Sequence, residues 1–223
     1  ITGLASGDVL VKPFCEGIEE TVHLNVYTTP HGRNRIIDII GDLGGFAFED
    51  YDSECENSFA NENGDRYITC LNADLTLSDP EYIVATPRGN WTGKTKGGLI
   101  LSKDCGSTWE RLSMPRGLSE FMDQKLDNIE KPNVDSGWTA ISADGKRIMW
   151  AVAGGRGFSN KAVCYTDDEG KTWQKSIFMD SNGNSADEHN VKIFSDYYNS
   201  DLFFAIAERE NLGLYISRDK GAT

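Results

Sequence analysis

The chain lacks long apolar runs and is short of basic residues. None of its 223 residues belongs to a stretch close to the roughly 18 apolar residues that a membrane-spanning helix needs, so we expect no membrane partner. Its 22 lysines and arginines stand against 35 acidic residues, which gives a net charge of −13. Such a surface repels phosphate backbones, which argues against nucleic acid and is compatible with a neutral polymer.

Residues that bind metals are scarce and scattered. The histidines stand at positions 23, 31 and 189, and the five cysteines fit no zinc-binding spacing. The sequence therefore indicates no metal site and no cofactor. Cys55 and Cys70 flank a polar loop and are candidates for a disulfide, whereas Cys164 has the pattern of a small buried hydrophobic residue.

What the chain does contain is a short motif that occurs three times. It reads SKDCGSTW at residues 102–109, TDDEGKTW at 166–173 and SRDKGAT at 217–223. The pattern is typical of a turn between two strands, in which Asp accepts backbone N–H bonds, Gly supplies a positive φ and Trp packs under the sheet. This is the Asp-box pattern, and we expect its aspartates to be structural.

The spacing of the boxes predicts the fold. Their aspartates at 104, 168 and 219 are 64 and 51 residues apart, which suits the blades of a β-propeller. We predict an all-β chain that forms an incomplete propeller of about four blades, with strands at roughly 8–49, 67–112, 138–177 and 190–217. Because the chain has no initial Met and stops inside a repeat, we expect it to be part of a larger tandem-propeller protein and unable to close by itself.

One further turn, GDLGG at residues 41–45, joins two apolar strands and carries Asp42. It connects the second and third strands of its blade, so it should lie on the face opposite the boxes, where propellers usually bind ligands. The connection that holds Glu19 and Glu20 should share this face, as should loops 87–97, 154–161 and 208–212. An Asp beside Gly is also ordinary hairpin chemistry, so the residues alone leave the role of Asp42 open.

Exposed aromatic side chains on these loops suit a carbohydrate ligand, because a pyranose ring offers a flat C–H face. Trp91 and Phe158, together with Arg156, are the candidate contacts. Packing of Trp91 into its own loop is the alternative. Glycoside hydrolysis needs two carboxyl groups between about 5 and 9.5 Å apart. Asp38 lies about 13 Å along the strand from Asp42, which is too far. Glu19 or Glu20 in the neighbouring connection could approach Asp42, but such loops more often position substrate. We therefore expect the partner of a catalytic Asp42 to lie outside this chain.

Two stretches carry a family resemblance. GIEET at residues 17–21, followed by GDLGGF at 41–46, resembles glycoside hydrolase family 74, the xyloglucanases and related endo-β-1,4-glucanases. The SADG turn at 142–145 and residues 190–223 are similar to that family's second-propeller repeats. Members have two seven-bladed propellers whose cleft binds the glucan, with one catalytic Asp from each, and they hydrolyse with inversion.

The resemblance implies a secreted xyloglucan-specific endo-β-1,4-glucanase with Asp42 as one of two catalytic carboxylates. It further implies that Gly44 and Gly45 belong with Glu19 and Glu20 to the substrate-binding residues, and that the second Asp comes from an N-terminal propeller. In family members we expect a His followed by acids after the Gly-Gly-Phe, whereas this chain has AFED at residues 47–50.

Two other functions remain open. A non-catalytic Asp-box propeller that binds glycan or protein is the main alternative. A sialidase also carries Asp boxes, but it needs an arginine cluster and a Tyr nucleophile. The arginines of the presumed ligand face, Arg88, Arg156 and Arg209, form no recognisable set of that kind.

Overall fold

The computed structural model describes residues 22–29, 31–50, 52, 54–55, 57–118, 123, 137–153, 162–186, 191–207 and 213–223. Within these ranges the named elements are strands, arranged in four antiparallel sheets that we call blades 1 to 4. The predicted all-β, incomplete propeller of about four blades is confirmed. The beginning of the strand region predicted at 8–49, up to residue 21, lies outside the described residues.

Each blade is a meander whose strands pair in chain order. Blade 1 consists of β1 (Val22–Thr28), β2 (Ile36–Gly41), β3 (Gly44–Phe48) and β4 (Asn57–Ser58). Blade 2 consists of β5 (Cys70–Leu75), β6 (Ile83–Pro87), β7 (Ile100–Ser102) and β8 (Glu110–Arg111). Blade 3 consists of β9 (Trp138–Ile141), β10 (Ile148–Ala151), β11 (Val163–Thr166) and β12 (Gln174–Lys175). Blade 4 consists of β13 (Val191–Ser195), β14 (Phe203–Ala207) and β15 (Gly213–Ser217).

The core lies between neighbouring blades as three separate apolar clusters. Alternate residues of a central strand enter different clusters: Ile83 of β6 packs toward blade 1, and Val84 packs toward blade 3. Side chains of a strand point alternately to its two faces, and both faces of an inner blade are covered. This explains why the central strands read as continuous apolar runs rather than as alternating patterns.

Side chains of β5 also tie the first strands of successive blades together. The Asn72 Oδ1 accepts the Thr139 N–H at 2.7 Å, and the Asp74 Oδ2 accepts the Ile141 N–H at 2.9 Å. The Ser195 hydroxyl donates to the same Asp74 oxygen at 2.8 Å. Blades 2, 3 and 4 are therefore joined by hydrogen bonds as well as by apolar packing.

The Asp boxes directly follow the third strands of blades 2, 3 and 4. The Asp104 carboxylate accepts hydrogen bonds from the Thr108 N–H (2.8 Å), the Thr108 hydroxyl (2.6 Å) and the Ser102 hydroxyl (2.8 Å). Cys105 and Gly106 complete the turn with φ values of 57° and 84°. The same bonds recur around Asp168 and Asp219.

The four described cysteines are free thiols. The disulfide considered for Cys55 and Cys70 is therefore not formed in this structure. Cys70 is fully buried in β5, where burial raises the pKa of its thiol to about 12.

Within the described ranges no helix is long and apolar enough to cross a membrane.

Candidate functional site

The candidate site is built on the hairpin that joins β2 to β3. Asp42 stands at its tip with a φ of 64° and is exposed to solvent. Asp is one of the few residues besides Gly that adopts this left-handed conformation readily. Its backbone N–H donates to the Thr69 hydroxyl at 3.1 Å, which fastens the tip to the segment entering blade 2. The carboxylate is thus presented to solvent from a fixed backbone.

Two glycines make this hairpin possible. Gly44 has a φ of 77°, and a Cβ there would lie 2.9 Å from the Tyr67 carbonyl oxygen. A Cβ on Gly45 would lie 2.7 Å from the Asp38 carbonyl oxygen and 3.0 Å from the Phe59 ring. The backbone packs too closely for any side chain at either position, which explains both glycines without a ligand.

The hairpin tip lies at the end of blade 1 opposite the Asp-box side. Asn34, in the turn before β2, donates through Nδ2 to the Cys105 carbonyl at 2.7 Å and so contacts the box of blade 2. Asp42 follows the far end of β2. The two faces inferred from strand order are therefore distinct in space.

Asp38 does not lie free beside Asp42. It is 6% exposed, and its Oδ2 lies 2.7 Å from the Nδ1 of His23 on β1. Sequence reasoning missed this pair. β1 and β2 shift register between His23 and Asn25, and no local signal in the sequence marks such a bulge.

The loop after β6 is held in shape by its own side chains. The Asn90 Oδ1 accepts hydrogen bonds from the Thr92 hydroxyl (2.8 Å) and from the N–H groups of Lys94 and Thr95 (3.1 and 3.3 Å). Trp91 is 60% exposed, with the Arg88 guanidinium 5.7 Å from its ring centre. The indole does not plug its own loop, so its ring is accessible for stacking.

Several predicted site residues cannot be located. Glu19, Glu20, Arg156 and Phe158, as well as Arg209 of the sialidase alternative, lie outside the described residues. Among the residues that are described, no three His, Cys, Asp or Glu side chains are grouped closely enough to hold a metal ion.

The Asp-box carboxylates differ from Asp42 because their own turns occupy them. The pKa of Asp168 is lowered to about 2, chiefly by the Thr172 N–H and then by the Thr172 hydroxyl. At Asp104 burial acts to raise the pKa, but the bonds from Thr108 outweigh it and the net pKa is lowered. These groups stay ionised and hydrogen-bonded, which suits a structural role and not proton transfer.

Comparison with known proteins was made on sequence and on structure. No protein-family model matches the chain, and no curated protein is significantly similar in sequence. Among solved structures, the GH74 xyloglucanase from Xanthomonas campestris superposes with a TM-score of 0.65 at 22% identity, over 92% of this chain. The GH74 enzyme from Niastella koreensis gives a TM-score of 0.64 at 20% identity, over 93% of this chain.

The chain shares its fold with GH74 enzymes. It spans only 24% of the length of each of these two structures. Identity at this level establishes a GH74-like propeller fold, and function has to be argued from the site itself.

Proposed function

We propose that the chain forms part of an inverting, secreted endo-β-1,4-glucanase that cleaves the backbone of xyloglucan, with Asp42 as one of two catalytic carboxylates. The observation that carries this proposal is the presentation of Asp42, an exposed carboxylate on a hairpin fixed by Thr69 and by two obligatory glycines. The GH74-like fold supports the same reading.

The proposal assigns the second carboxylate to another part of the enzyme, in an N-terminal propeller facing this one. Asp38 is a poor candidate because it is buried and engaged with His23. Inversion requires a water molecule between carboxyl groups about 6.5–9.5 Å apart, and a cleft between two propellers has room for it. Glu19, Glu20, Gly44, Gly45, Trp91, Arg156 and Phe158 are proposed to line the glucan-binding face.

The test is the Asp42→Asn variant of the whole enzyme, assayed on xyloglucan. Asn also tolerates a positive φ, so the hairpin should keep its shape while the carboxylate is lost. We expect kcat to fall by roughly 100- to 10,000-fold, the range for removal of a proton-transfer group. Glu49→Gln, which neutralises an exposed acid just beyond β3, should leave kcat unchanged. An Asp42→Asn variant with full activity would exclude a catalytic Asp42.

A non-catalytic propeller that binds glycan or protein is the second candidate. The observation that favours it is the turn conformation of Asp42, since a left-handed hairpin position selects Asp for backbone reasons alone. This function predicts that the wild-type protein binds xyloglucan without releasing reducing ends. Retention of the whole protein on a xyloglucan gel, with no product formed, would support it.

A further inference from the structure

A second candidate site lies on blade 2. A groove of about 480 Å³ runs between the connection that follows β4 and the loop and outermost strand of blade 2. Its walls include Tyr67, Trp109 and Arg111 together with the loop residues Lys94 and Lys96. This volume is sufficient for one or two sugar rings, at the lower end of the range for ligand pockets.

Trp109 provides an unsatisfied hydrogen-bond donor in this groove. Its side chain is 5% exposed, and its indole Nε1 is buried without a hydrogen-bond partner. In the next blade the matching Asp-box tryptophan, Trp173, donates from Nε1 to the Ser113 carbonyl at 3.1 Å. The Asp-box tryptophan therefore has a satisfied indole N–H in blade 3 and an unsatisfied one in blade 2. An unpaired buried donor is destabilising, and an acceptor oxygen of a ligand would remove that penalty.

The groove carries more positive than negative side chains, in a chain whose net charge is −13. Lys94, Lys96 and Arg111 line it against Glu62 and Glu110. Lys94 also lies 3.4 Å from the Asp65 carboxylate, which leaves Lys96 and Arg111 as the main cationic groups for a ligand. Arg111 is oriented by a bond from its Nε to the Gly97 carbonyl at 2.9 Å. Cationic side chains grouped on an otherwise acidic protein attract an anionic ligand to this groove, whereas the rest of the surface repels it.

The groove is preformed, because hydrogen bonds join its two walls. The Asn61 Nδ2 donates to the Lys94 carbonyl at 3.4 Å, and the Thr95 hydroxyl donates to the Arg66 carbonyl at 3.2 Å. Thr95 is 2% exposed. The loop is therefore already ordered before a ligand binds, so binding has only a small entropic cost from ordering it.

Tyr67 supplies a second polar group. It is 2% exposed, and burial raises the pKa of its phenol to about 12. The hydroxyl therefore remains protonated at neutral pH and can both donate and accept.

We propose that this groove binds a sugar unit bearing a carboxylate, a uronic acid residue of an acidic polysaccharide. The carboxylate would lie against the cationic side chains, with one acceptor oxygen on the Trp109 indole N–H. Sugar hydroxyls would donate to Glu62 and Glu110. Because the glucan backbone of xyloglucan is neutral, this ligand differs from the proposed substrate, and its binding does not depend on the chemistry of Asp42.

The experiment is a calorimetric titration of the protein with trigalacturonate and, in parallel, with the neutral cellotriose. We expect trigalacturonate to bind and cellotriose to bind at least tenfold more weakly. Trp109→Phe keeps the ring that packs on Phe59 and removes only the N–H, so it should weaken trigalacturonate binding about tenfold, the equivalent of one charge-assisted hydrogen bond.

The matched control is Trp173→Phe, which removes an indole N–H already satisfied within the protein. It should lower the melting temperature without changing affinity. Lys96→Glu tests the charge at an exposed position where misfolding is not a concern, and it should also weaken binding. Equal binding of both oligosaccharides, no binding of trigalacturonate, or unchanged affinity in both Trp109→Phe and Lys96→Glu would overturn the proposal. The Asp42→Asn variant should bind trigalacturonate like the wild type.

Discussion

Asp74 is the residue whose surroundings depart most from those of an ordinary aspartate. It is buried on β5, and burial raises its pKa to about 6, against the opposing bonds from the Ile141 N–H, the Ser195 hydroxyl and the Leu75 N–H, in that order. The phenols of Tyr27 and Tyr197 are close enough to interact with its charge. The carboxylate accepts hydrogen bonds that join three blades, although its charge is poorly solvated.

This environment predicts a pH-dependent stability. Because the pKa is about 6 in the folded chain and 3.8 in an unperturbed aspartate, the folded state binds the proton more tightly. The stabilising contribution of this group is complete below about pH 4 and is lost as the pH rises through 6. The total change is on the order of 3 kcal/mol for a shift of about two pKa units.

The measurement is chemical unfolding of wild type and Asp74→Asn between pH 4 and 8. Asn keeps an acceptor for the Ile141 N–H but has no charge to bury. We therefore expect the difference in unfolding free energy, wild type minus variant, to decrease across this range. A constant difference would show that Asp74 does not titrate in it. Asp79→Asn, an exposed turn acid outside this network, should show no such trend.

At the level of single elements, the Asp box explains where the fourth strands begin. In the blades predicted at 67–112 and 138–177, the last strands are only Glu110–Arg111 and Gln174–Lys175. The N–H groups of Thr108 and Thr172 are bound to box aspartates and cannot join the ladder. Periodic apolar residues located the strands, but a side chain that competes for backbone N–H groups sets their limits.

The box glycine also forms a contact between blades. Gly106 has a φ of 84°, and a Cβ there would lie 3.0 Å from the Ile37 Cδ1 and 3.2 Å from the Ala47 Cβ of blade 1. We expect Gly106→Ala to destabilise the protein by about 2–4 kcal/mol, the sum of a left-handed Ala and a crowded contact.

Gly64→Ala is the matched control for that variant. Gly64 has a φ of 79° and no atom within 4 Å of the position a Cβ would take. It should cost only the conformational part, about 1–2 kcal/mol. The change in unfolding free energy of both variants would be measured by thermal or urea unfolding. If the two variants were equally destabilised, the contact between the box and blade 1 would contribute nothing to stability.

For the whole molecule, sequence repeats were sufficient to predict the propeller, because each blade repeats local chemistry. Contacts between blades were not predictable, since they join residues far apart in the chain. The bond from Asn34 to Cys105 and the groove formed by Tyr67, Lys94 and Trp109 arise only when blades pack. The candidate Asp42 was visible because its turn is local, whereas the His23–Asp38 pair depends on a strand bulge.

Arg147 forms a polar link between blades 3 and 4. Within blade 3 its guanidinium donates two bonds to the Asp167 carboxylate (2.7 and 2.6 Å), and across to blade 4 it donates one bond to the Lys220 carbonyl (2.7 Å). It also lies 4.0 Å from the centre of the Tyr165 ring. Lys cannot reproduce this planar set of contacts, so Arg147 ties the box of the last blade to blade 3.

We expect Arg147→Lys to loosen blade 4 selectively. Lys loses the bond to the Lys220 carbonyl of blade 4, and it weakens the ion pair with Asp167 that holds the side chain in place. Because Asp167 is half exposed and Arg147 is largely buried, the loss should be about 1–2 kcal/mol, between the values for exposed and buried pairs. Hydrogen exchange should speed up roughly 5- to 30-fold at amides of β13, β14 and β15 and remain unchanged in blades 1 and 2. Lys146→Gln, which removes a lysine whose side chain is 78% exposed, should leave exchange unaltered. Uniform acceleration across all four blades would mean that the described chain unfolds as one cooperative unit and that Arg147 does not control blade 4 separately.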